Sequence, residues 1–226
     1  MAAIFYAGDS TVKFNKISAY PQTGISQALL LYLKDSVEMK SFAQNGRSTK
    51  SFIDEGRLDL IGKEIKEGDF LFIQFGHNDE KDDPARHTDP DTTFPENLMR
   101  FIDAAKVKGA WPVLITPIGR RLFDDRGTFR PGSHGAYPEA VKRTGRKAGV
   151  PVIDMTAITE NYLAALGDLA SKAYFMWPKD NTHLRPEGAV LMAGFLNDEL
   201  EKLGSPYRDL LEERAEQREN TGLDVS

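Results

Sequence analysis

The chain opens with a short apolar run that stops abruptly in polar residues: residues 3–10 read Ala-Ile-Phe-Tyr-Ala-Gly-Asp-Ser. A nearly continuous apolar run is typical of a strand that is buried on both faces of a parallel sheet. Further apolar runs follow at residues 37–43, 70–75, 112–116 and 150–155. The sequence therefore predicts five strands, and the first of them ends at Gly-Asp-Ser.

The segments between these runs have helical spacing. Residues 186–203 begin with Pro-Glu and precede Gly204, which predicts a helix with a clear start and end. Elsewhere, apolar residues recur at intervals of three or four: Ile25, Leu29, Leu30 and Leu33, then Leu98, Ile102 and Ala105. Alternating strands and helices predict an α/β fold with a doubly wound parallel sheet.

Length and composition favour one soluble globular domain. The 226 residues carry a formal charge of −5, with 40% hydrophobic and 28% charged residues. We expect a single domain over residues 1–211 and a charged, frayed tail over residues 212–226. The chain contains no cysteine, which excludes disulfides, cysteine nucleophiles and thiolate metal sites.

The same features bear on partners and location. An acidic balance argues against a nucleic-acid surface, and no apolar run approaches the roughly 18–20 residues that span a bilayer. The first residues do not resemble a signal peptide, so the sequence predicts a cytoplasmic protein. No strong apolar helix stripe marks an interface, which favours a monomer.

Polar residues follow four of the five predicted strands, where ligands of parallel α/β sheets bind. Ser10 follows the first run, and a serine hydroxyl needs a neighbouring base to become a nucleophile. Asp180 and His183 can supply that base, because an Asp three residues before a His can fix the imidazole tautomer. The three residues predict a Ser-His-Asp catalytic triad.

Donors for a developing oxyanion are also present. The backbone N–H groups of Ser10 and Gly46 and the side-chain amide of Asn78 follow three predicted strands. Each piece alone is common by chance, but their concurrence predicts acyl transfer.

Several residues near this predicted site could contact substrate. Arginines bind carboxylates bidentately, so they suit a substrate such as acidic pectin; the alternative is that they pair with nearby aspartates such as Asp124 and Asp125. His77 could contact substrate or hold its loop by a structural hydrogen bond. Trp177 could stack on a sugar, whereas Trp111 is expected in the core. The substrate-binding candidates are Arg47, His77, Arg120, Arg121, His134 and Trp177.

An acidic stretch follows the third predicted strand and could suggest a metal site. It has no recognised ligand spacing, so a solvated acidic loop is the favoured interpretation. Its residues are His77, Asp79, Asp82, Asp83, His87, Asp89 and Asp91.

The chain resembles the SGNH (GDSL-type) hydrolase superfamily in four ordered blocks. Longer strings resemble the rhamnogalacturonan acetylesterases within it, over about residues 7–194. The blocks are Gly8-Asp9-Ser10, Gly46, Gly76-His77-Asn78-Asp79 and Asp180-x-x-His183. The longer strings are residues 7–12, 45–53, 55–57, 73–79, 116–117, 120–121, 134–138 and 180–184.

This resemblance implies a three-layer α/β/α sandwich with a five-stranded parallel sheet in the order 2-1-3-4-5. It also implies an esterase that removes O-acetyl groups from pectin-type oligosaccharides and needs no cofactor. One alternative is an esterase of the same superfamily that acts on acetylxylan or other small acyl esters. Another is a non-catalytic flavodoxin-like module that binds a phosphate or a flavin.

Overall fold

The computed structural model describes residues 2–212 and contains one five-stranded parallel sheet in the order β2-β1-β3-β4-β5. The predicted strand order is confirmed. The strands are β1 (Ala3–Gly8), β2 (Glu38–Ser41), β3 (Phe70–Gln74), β4 (Trp111–Ile115) and β5 (Val152–Ile153).

Eight α-helices connect and cover these strands within the described residues. They are α1 (Ile25–Leu29), α2 (Thr49–Asp54), α3 (Arg57–Glu64), α4 (Thr93–Lys106), α5 (Tyr137–Ala148), α6 (Met155–Leu166), α7 (Asp168–Ser171) and α8 (Pro186–Leu203). Short 3₁₀ helices lie at Ile17–Ala19, Lys172–Tyr174 and Arg208–Leu210. No helix in the 2–212 range is both long and apolar enough to cross a membrane.

The sheet has a hydrophobic core on each face, which explains the unbroken apolar runs. Ile4 and Tyr6 of β1 pack into one core with residues of α1 and α8. Phe5 and Ala7 alternate with them and pack into the other core with residues of α2 to α5. Successive strand residues point to opposite faces, so every residue of β1 must suit a buried position. The result is the predicted three-layer sandwich.

Three predicted elements are shorter than expected. β2 covers only Glu38–Ser41 of the predicted residues 37–43. In the other two elements, the backbone forms a different bridge or hydrogen bond. The first helix stops at Leu29, since Leu33 forms an antiparallel bridge with Leu211 that needs extended backbone. The fifth strand begins only at Val152, because the N–H of Val150 closes the end of α5 on the carbonyl of Gly145. It ends before Asp154, whose side chain caps α6.

Two further expectations concern Trp111 and the C-terminal tail. Trp111 was expected in the core but is 46% exposed, because it is the first residue of β4 at the amino edge of the sheet. Of the tail predicted to fray, only Glu212 is described, and its N–H donates to the carbonyl of Tyr32. Residues 213–226 lie outside the described range.

Candidate active site

The turn after β1 places Ser10 at the carboxyl edge of the sheet. A side chain would not fit at Gly8, where a Cβ would lie 2.4 Å from Val12 Cγ2. Asp9 folds back on the chain, and its Oδ1 accepts hydrogen bonds from the backbone N–H and the hydroxyl of Thr11 at 2.9 and 2.8 Å. These contacts fix the turn that carries the candidate nucleophile.

Ser10 meets a histidine and an aspartate from the loop before α8. His183 Nε2 lies 2.9 Å from Ser10 Oγ, and His183 Nδ1 lies 3.2 Å from Asp180 Oδ2. Asp180 Oδ1 also accepts the backbone N–H groups of Thr182 and His183 at 2.9 and 2.7 Å. The structure thus brings the three predicted residues together in the order that a serine nucleophile requires.

The environment of Asp180 favours its charged form. Partial burial, the largest single influence, raises the pKa of this carboxyl group. The backbone hydrogen bonds from His183 and Thr182, with the charge of the His183 ring, outweigh it and leave the pKa below its ordinary value. An ionised Asp180 accepts a proton-bearing Nδ1, so Nε2 faces Ser10 with its lone pair.

The predicted oxyanion donors come to the same edge. The Asn78 Nδ2 donates to the carbonyl of Arg47 at 3.1 Å, next to Gly46, which has a φ of +74°. The N–H of Gln44 donates to the carbonyl of Gly8 at 3.1 Å, which ties this loop to the end of β1. Asn78 has a second amide hydrogen with no acceptor among residues 2–212. Its role toward an oxyanion stays a prediction.

Asp79 is a buried anchor behind these donors, not part of a solvated loop as predicted. Its Oδ1 accepts from the N–H and hydroxyl of Thr49 at 2.9 and 2.5 Å and from the Thr88 hydroxyl at 3.0 Å. Burial raises the pKa of Asp79 to about 7, although these hydrogen bonds oppose the shift. The described residues hold no metal-binding group of three or more His, Asp or Glu side chains.

His77 and His134 are buried, and their contact with substrate stays a prediction. Their rings pack edge to face with centroids 4.4 Å apart. His134 Nε2 donates to the carbonyl of Ile118 at 2.8 Å, and its Nδ1 lies 3.0 Å from Glu80 Oε2. Neither ring nitrogen of His77 has a partner among the described residues, and the hydrogen bond at this residue is the one that its backbone carbonyl accepts from Arg120 at 3.2 Å. Burial, then the charge of His134, lowers the pKa of His77 well below its ordinary value.

The three arginines predicted to bind substrate carboxylates all pair with carboxylates of the chain itself. Arg121 is also buried, and its contact with substrate stays a prediction. Their partners differ from the aspartates named as the alternative, Asp124 and Asp125. The ion pairs are Arg47–Glu55, Arg120–Glu80 and Arg121–Asp168.

Trp177 is 40% exposed, but cations already lie against its ring. The Arg121 guanidinium is 4.7 Å from the ring centroid and Lys172 Nζ is 5.1 Å from it. Cation–π contacts of this kind use the ring surface that a sugar would need. Its stacking on substrate stays a prediction.

Arg120 connects the two loops that carry the candidate catalytic groups, a role that sequence reasoning missed. Its Nη2 donates to the carbonyl of His77 at 3.2 Å, and its Nη1 donates to the Thr182 hydroxyl at 3.3 Å. Asn78 follows the first of these residues, and His183 follows the second. The sequence signals at Arg120 were its position after the fourth strand and its place in a string that resembles the rhamnogalacturonan acetylesterases, and neither indicated this linking role.

A serine, a histidine and an aspartate in hydrogen-bonding order at the edge of a parallel sheet define the site of a serine hydrolase. Comparison with known proteins identifies the family within this class. Residues 7–191 match the model of the GDSL-like Lipase/Acylhydrolase family, and the chain belongs to that family. It is therefore an ester hydrolase, and this assignment replaces the alternative of a non-catalytic binding module.

Individual relatives agree with the family match. The chain is 39% identical to the rhamnogalacturonan acetylesterase RhgT of Bacillus subtilis (strain 168), over 93% of this chain and 94% of the relative. It is 31% identical to a rhamnogalacturonan acetylesterase of Emericella nidulans, over 84% of this chain and 81% of the relative. The crystal structure of protein YxiM from Bacillus subtilis superposes with a TM-score of 0.81 at 26% identity, covering 91% of this chain and 57% of that one.

Proposed function

We propose that this chain is a serine acetylesterase that removes O-acetyl groups from rhamnogalacturonan-type pectic oligosaccharides. The distance of 2.9 Å between Ser10 Oγ and His183 Nε2 is the observation that supports hydrolysis by a serine nucleophile. The identity of 39% to a rhamnogalacturonan acetylesterase, over nearly the full length of both chains, supports the substrate class.

The first half of the reaction transfers the acetyl group to the enzyme. Ser10 Oγ attacks the carbonyl carbon while His183 Nε2 accepts the hydroxyl proton. The negative charge on the carbonyl oxygen is stabilised by the backbone N–H groups of Ser10 and Gly46 and by the Asn78 amide. The tetrahedral intermediate then expels the sugar alkoxide, which takes the proton from His183 and leaves as an alcohol.

The second half regenerates the serine. A water molecule gives a proton to His183 Nε2 as its oxygen attacks the acetyl carbon, and the same donors stabilise the second oxyanion. Acetate leaves, and Ser10 Oγ recovers the proton from His183. Throughout, Asp180 holds the ring by the Nδ1 contact of 3.2 Å and stabilises its positive charge.

The first test measures acetate release from acetylated rhamnogalacturonan oligosaccharides, with p-nitrophenyl acetate as a permissive substrate. We expect Ser10→Ala to lower kcat by at least about 10⁴-fold on both, because the nucleophile is lost. Folded Ser10→Ala protein with substantial activity would contradict the mechanism. A higher kcat/KM on acetylxylan than on the pectic substrate would contradict the substrate class.

An enzyme that acts inside the cell would deacetylate imported oligosaccharides rather than intact polymer, and this location also belongs to the proposal. Cell fractionation with an antibody against the chain tests it, and recovery of the protein from the medium would overturn it.

A further inference from the structure

A pectic substrate brings carboxylates to the site, and the arginines predicted to bind them already have partners in the chain. Arg47, Arg120 and Arg121 each pair with a carboxylate of the protein. An acidic oligosaccharide would have to break those ion pairs or meet other cations. The rest of the inference depends on the proposed function, since it concerns how that substrate is held.

The loop over residues 13–24 lies beside the catalytic pair. It begins three residues after Ser10, and near its end the N–H of Thr23 donates to the carbonyl of Leu184 at 3.0 Å, next to His183. At its start, the N–H of Phe14 donates to the Ser41 hydroxyl at 3.2 Å, at the end of β2. Both ends of the loop are therefore attached to the edge of the sheet that carries the site.

One side chain holds this loop together. The Gln27 Oε1 accepts from the N–H groups of Asn15 and Gly24 at 2.9 and 3.1 Å, and its Nε2 donates to the carbonyl of Asn15 at 3.2 Å. The loop packs so closely here that a Cβ at Gly24 would lie 2.0 Å from the carbonyl oxygen of Lys13. A loop fixed in this way loses little conformational entropy when it binds a ligand.

The outer part of the loop exposes large apolar side chains. Phe14 is 46% exposed, Tyr20 is 70% exposed and Ile17 is 89% exposed. Three such residues within seven positions form an apolar surface that the folding of this domain does not require. Aromatic rings of this kind stack on the apolar faces of sugars.

Two lysines lie among these residues and are not neutralised. Lys13 and Lys16 form no ion pair with any carboxylate in the described part of the chain. Together with Phe14, Ile17 and Tyr20 they make a surface that is both apolar and positively charged. That combination fits a sugar chain with uronate carboxylates, because each ring offers an apolar face and each uronate an anion.

We propose that residues 13–20 form a binding subsite for the acidic sugars that flank the acetylated residue. Tyr20 and Phe14 contact sugar faces, and Lys13 and Lys16 pair with uronate carboxylates. The subsite selects acidic acetylated oligosaccharides over neutral ones without touching the reacting ester.

The test compares substrates that differ only in what flanks the ester. We expect Lys13→Gln/Lys16→Gln to lower kcat/KM on acetylated rhamnogalacturonan oligosaccharides by about tenfold, mainly through KM, and to weaken its salt dependence. Activity on p-nitrophenyl acetate and on neutral acetylxylan fragments should stay within about twofold. Tyr20→Ala should raise KM for the pectic substrate similarly, but without changing its salt dependence.

A matched control removes the same charge at the opposite edge of the sheet. Lys108→Gln/Lys147→Gln changes two exposed lysines near the ends of α4 and α5 and should leave all three substrates unaffected. Unchanged activity of the Lys13→Gln/Lys16→Gln variant on the pectic substrate would overturn the subsite. So would an equal loss on all three substrates, which would indicate damage to the catalytic centre.

Other outcomes separate the two proposals. If wild-type protein cleaves p-nitrophenyl acetate but not the pectic substrate, the proposed function fails and the subsite fails with it. If the pectic substrate is cleaved and the loop variants behave as wild type, only the subsite fails. If light scattering shows a wild-type dimer that Ile17→Ser converts to a monomer, the loop is a contact between copies and the subsite is overturned.

Discussion

Two buried aspartates, Asp9 next to Ser10 and Asp79 next to Asn78, form hydrogen bonds that hold the backbone around the site. Asp9 and Asp79 each use one oxygen for internal hydrogen bonds, while the other oxygen has no partner among residues 2–212. Burial is the main cause that raises the pKa of both carboxyl groups. Their hydrogen bonds hold the turns that carry Ser10 and Asn78. Because both carboxyl groups are buried, their ionisation makes the stability of the fold depend on pH.

Asp79 makes the sign of that dependence testable. Its pKa is about 7 in the folded chain, against an ordinary value of 3.8 for an aspartate. Between about pH 4 and pH 7 the folded state therefore keeps a proton that the unfolded state has lost, so rising pH favours unfolding in this window. Above pH 7 this effect lowers the free energy of unfolding by at most about 4 kcal/mol, because each unit of difference between the folded and unfolded pKa is worth about 1.4 kcal/mol.

We expect Asp79→Asn to remove this part of the pH dependence. The free energy of unfolding, measured in urea at pH 5 and pH 8, should fall less with rising pH in the variant than in wild type. Asp83→Asn is the control, because Asp83 is only partly buried and the hydrogen bond from Arg86 lowers its pKa rather than raising it. Equal pH dependence in Asp79→Asn and wild type would show that Asp79 is ionised at both pH values.

At the scale of elements, the catalytic groups depend on how two loops are held relative to each other. The loop after β3 carries Asn78, and the loop before α8 carries Asp180 and His183. Arg120, from the loop after β4, contacts both through the His77 carbonyl and the Thr182 hydroxyl. Its charge is balanced by Glu80, which also lies against His134.

We expect Arg120→Gln to lower kcat by about 10- to 100-fold with little change in KM, because small displacements of positioned groups are costly. Arg120→Lys should recover part of the loss, since it keeps the charge beside Glu80 but not both hydrogen bonds. Steady-state kinetics on p-nitrophenyl acetate check this with no contribution from sugar binding. A rise in KM alone would instead indicate that Arg120 contacts substrate.

Elements with local signals could be predicted from the sequence, and those set by distant contacts could not. The helix predicted over residues 186–203 has those bounds, because Pro186 and Gly204 act within the element itself. The first helix was predicted too long, because the bridge from Leu33 to Leu211 joins residues far apart in sequence. The apolar spacing of Leu30 and Leu33 contains no information about that partner.

The same distinction applies to the whole molecule. Ser10, His183 and Asp180 could be predicted because chemistry restricts which residue types can make such a site. The ion pairs of Arg120 and Arg121 could not be predicted, since their carboxylate partners lie 40 and 47 residues away. Only the folded sheet determines which charges meet. The burial of His77 and His134 has the same origin, because their packing partners come from different loops.

The catalytic site also depends on the fold as a unit, since Ser10 and His183 are 173 residues apart. Ser10 lies two residues after the end of β1, and His183 lies three residues before the start of α8. Ile4 and Tyr6 of β1 share one hydrophobic core with Met192 and Leu196 of α8. Separating the nucleophile from its base therefore requires that core to open, and opening it unfolds the sheet.

We accordingly expect hydrolysis of p-nitrophenyl acetate and the far-ultraviolet circular dichroism signal to be lost at the same urea midpoint, as in a two-state transition. The hydrolysis of p-nitrophenyl acetate by urea-unfolded protein is the background to subtract. Gly24→Ala is a useful comparison, because it disturbs the 13–24 loop directly, where a Cβ would lie 2.0 Å from the Lys13 carbonyl oxygen. In that variant the midpoint of the circular dichroism signal should fall while the two curves still coincide. Loss of activity in wild type at clearly lower urea than loss of structure would show that the loops carrying Ser10 and His183 open independently of the core.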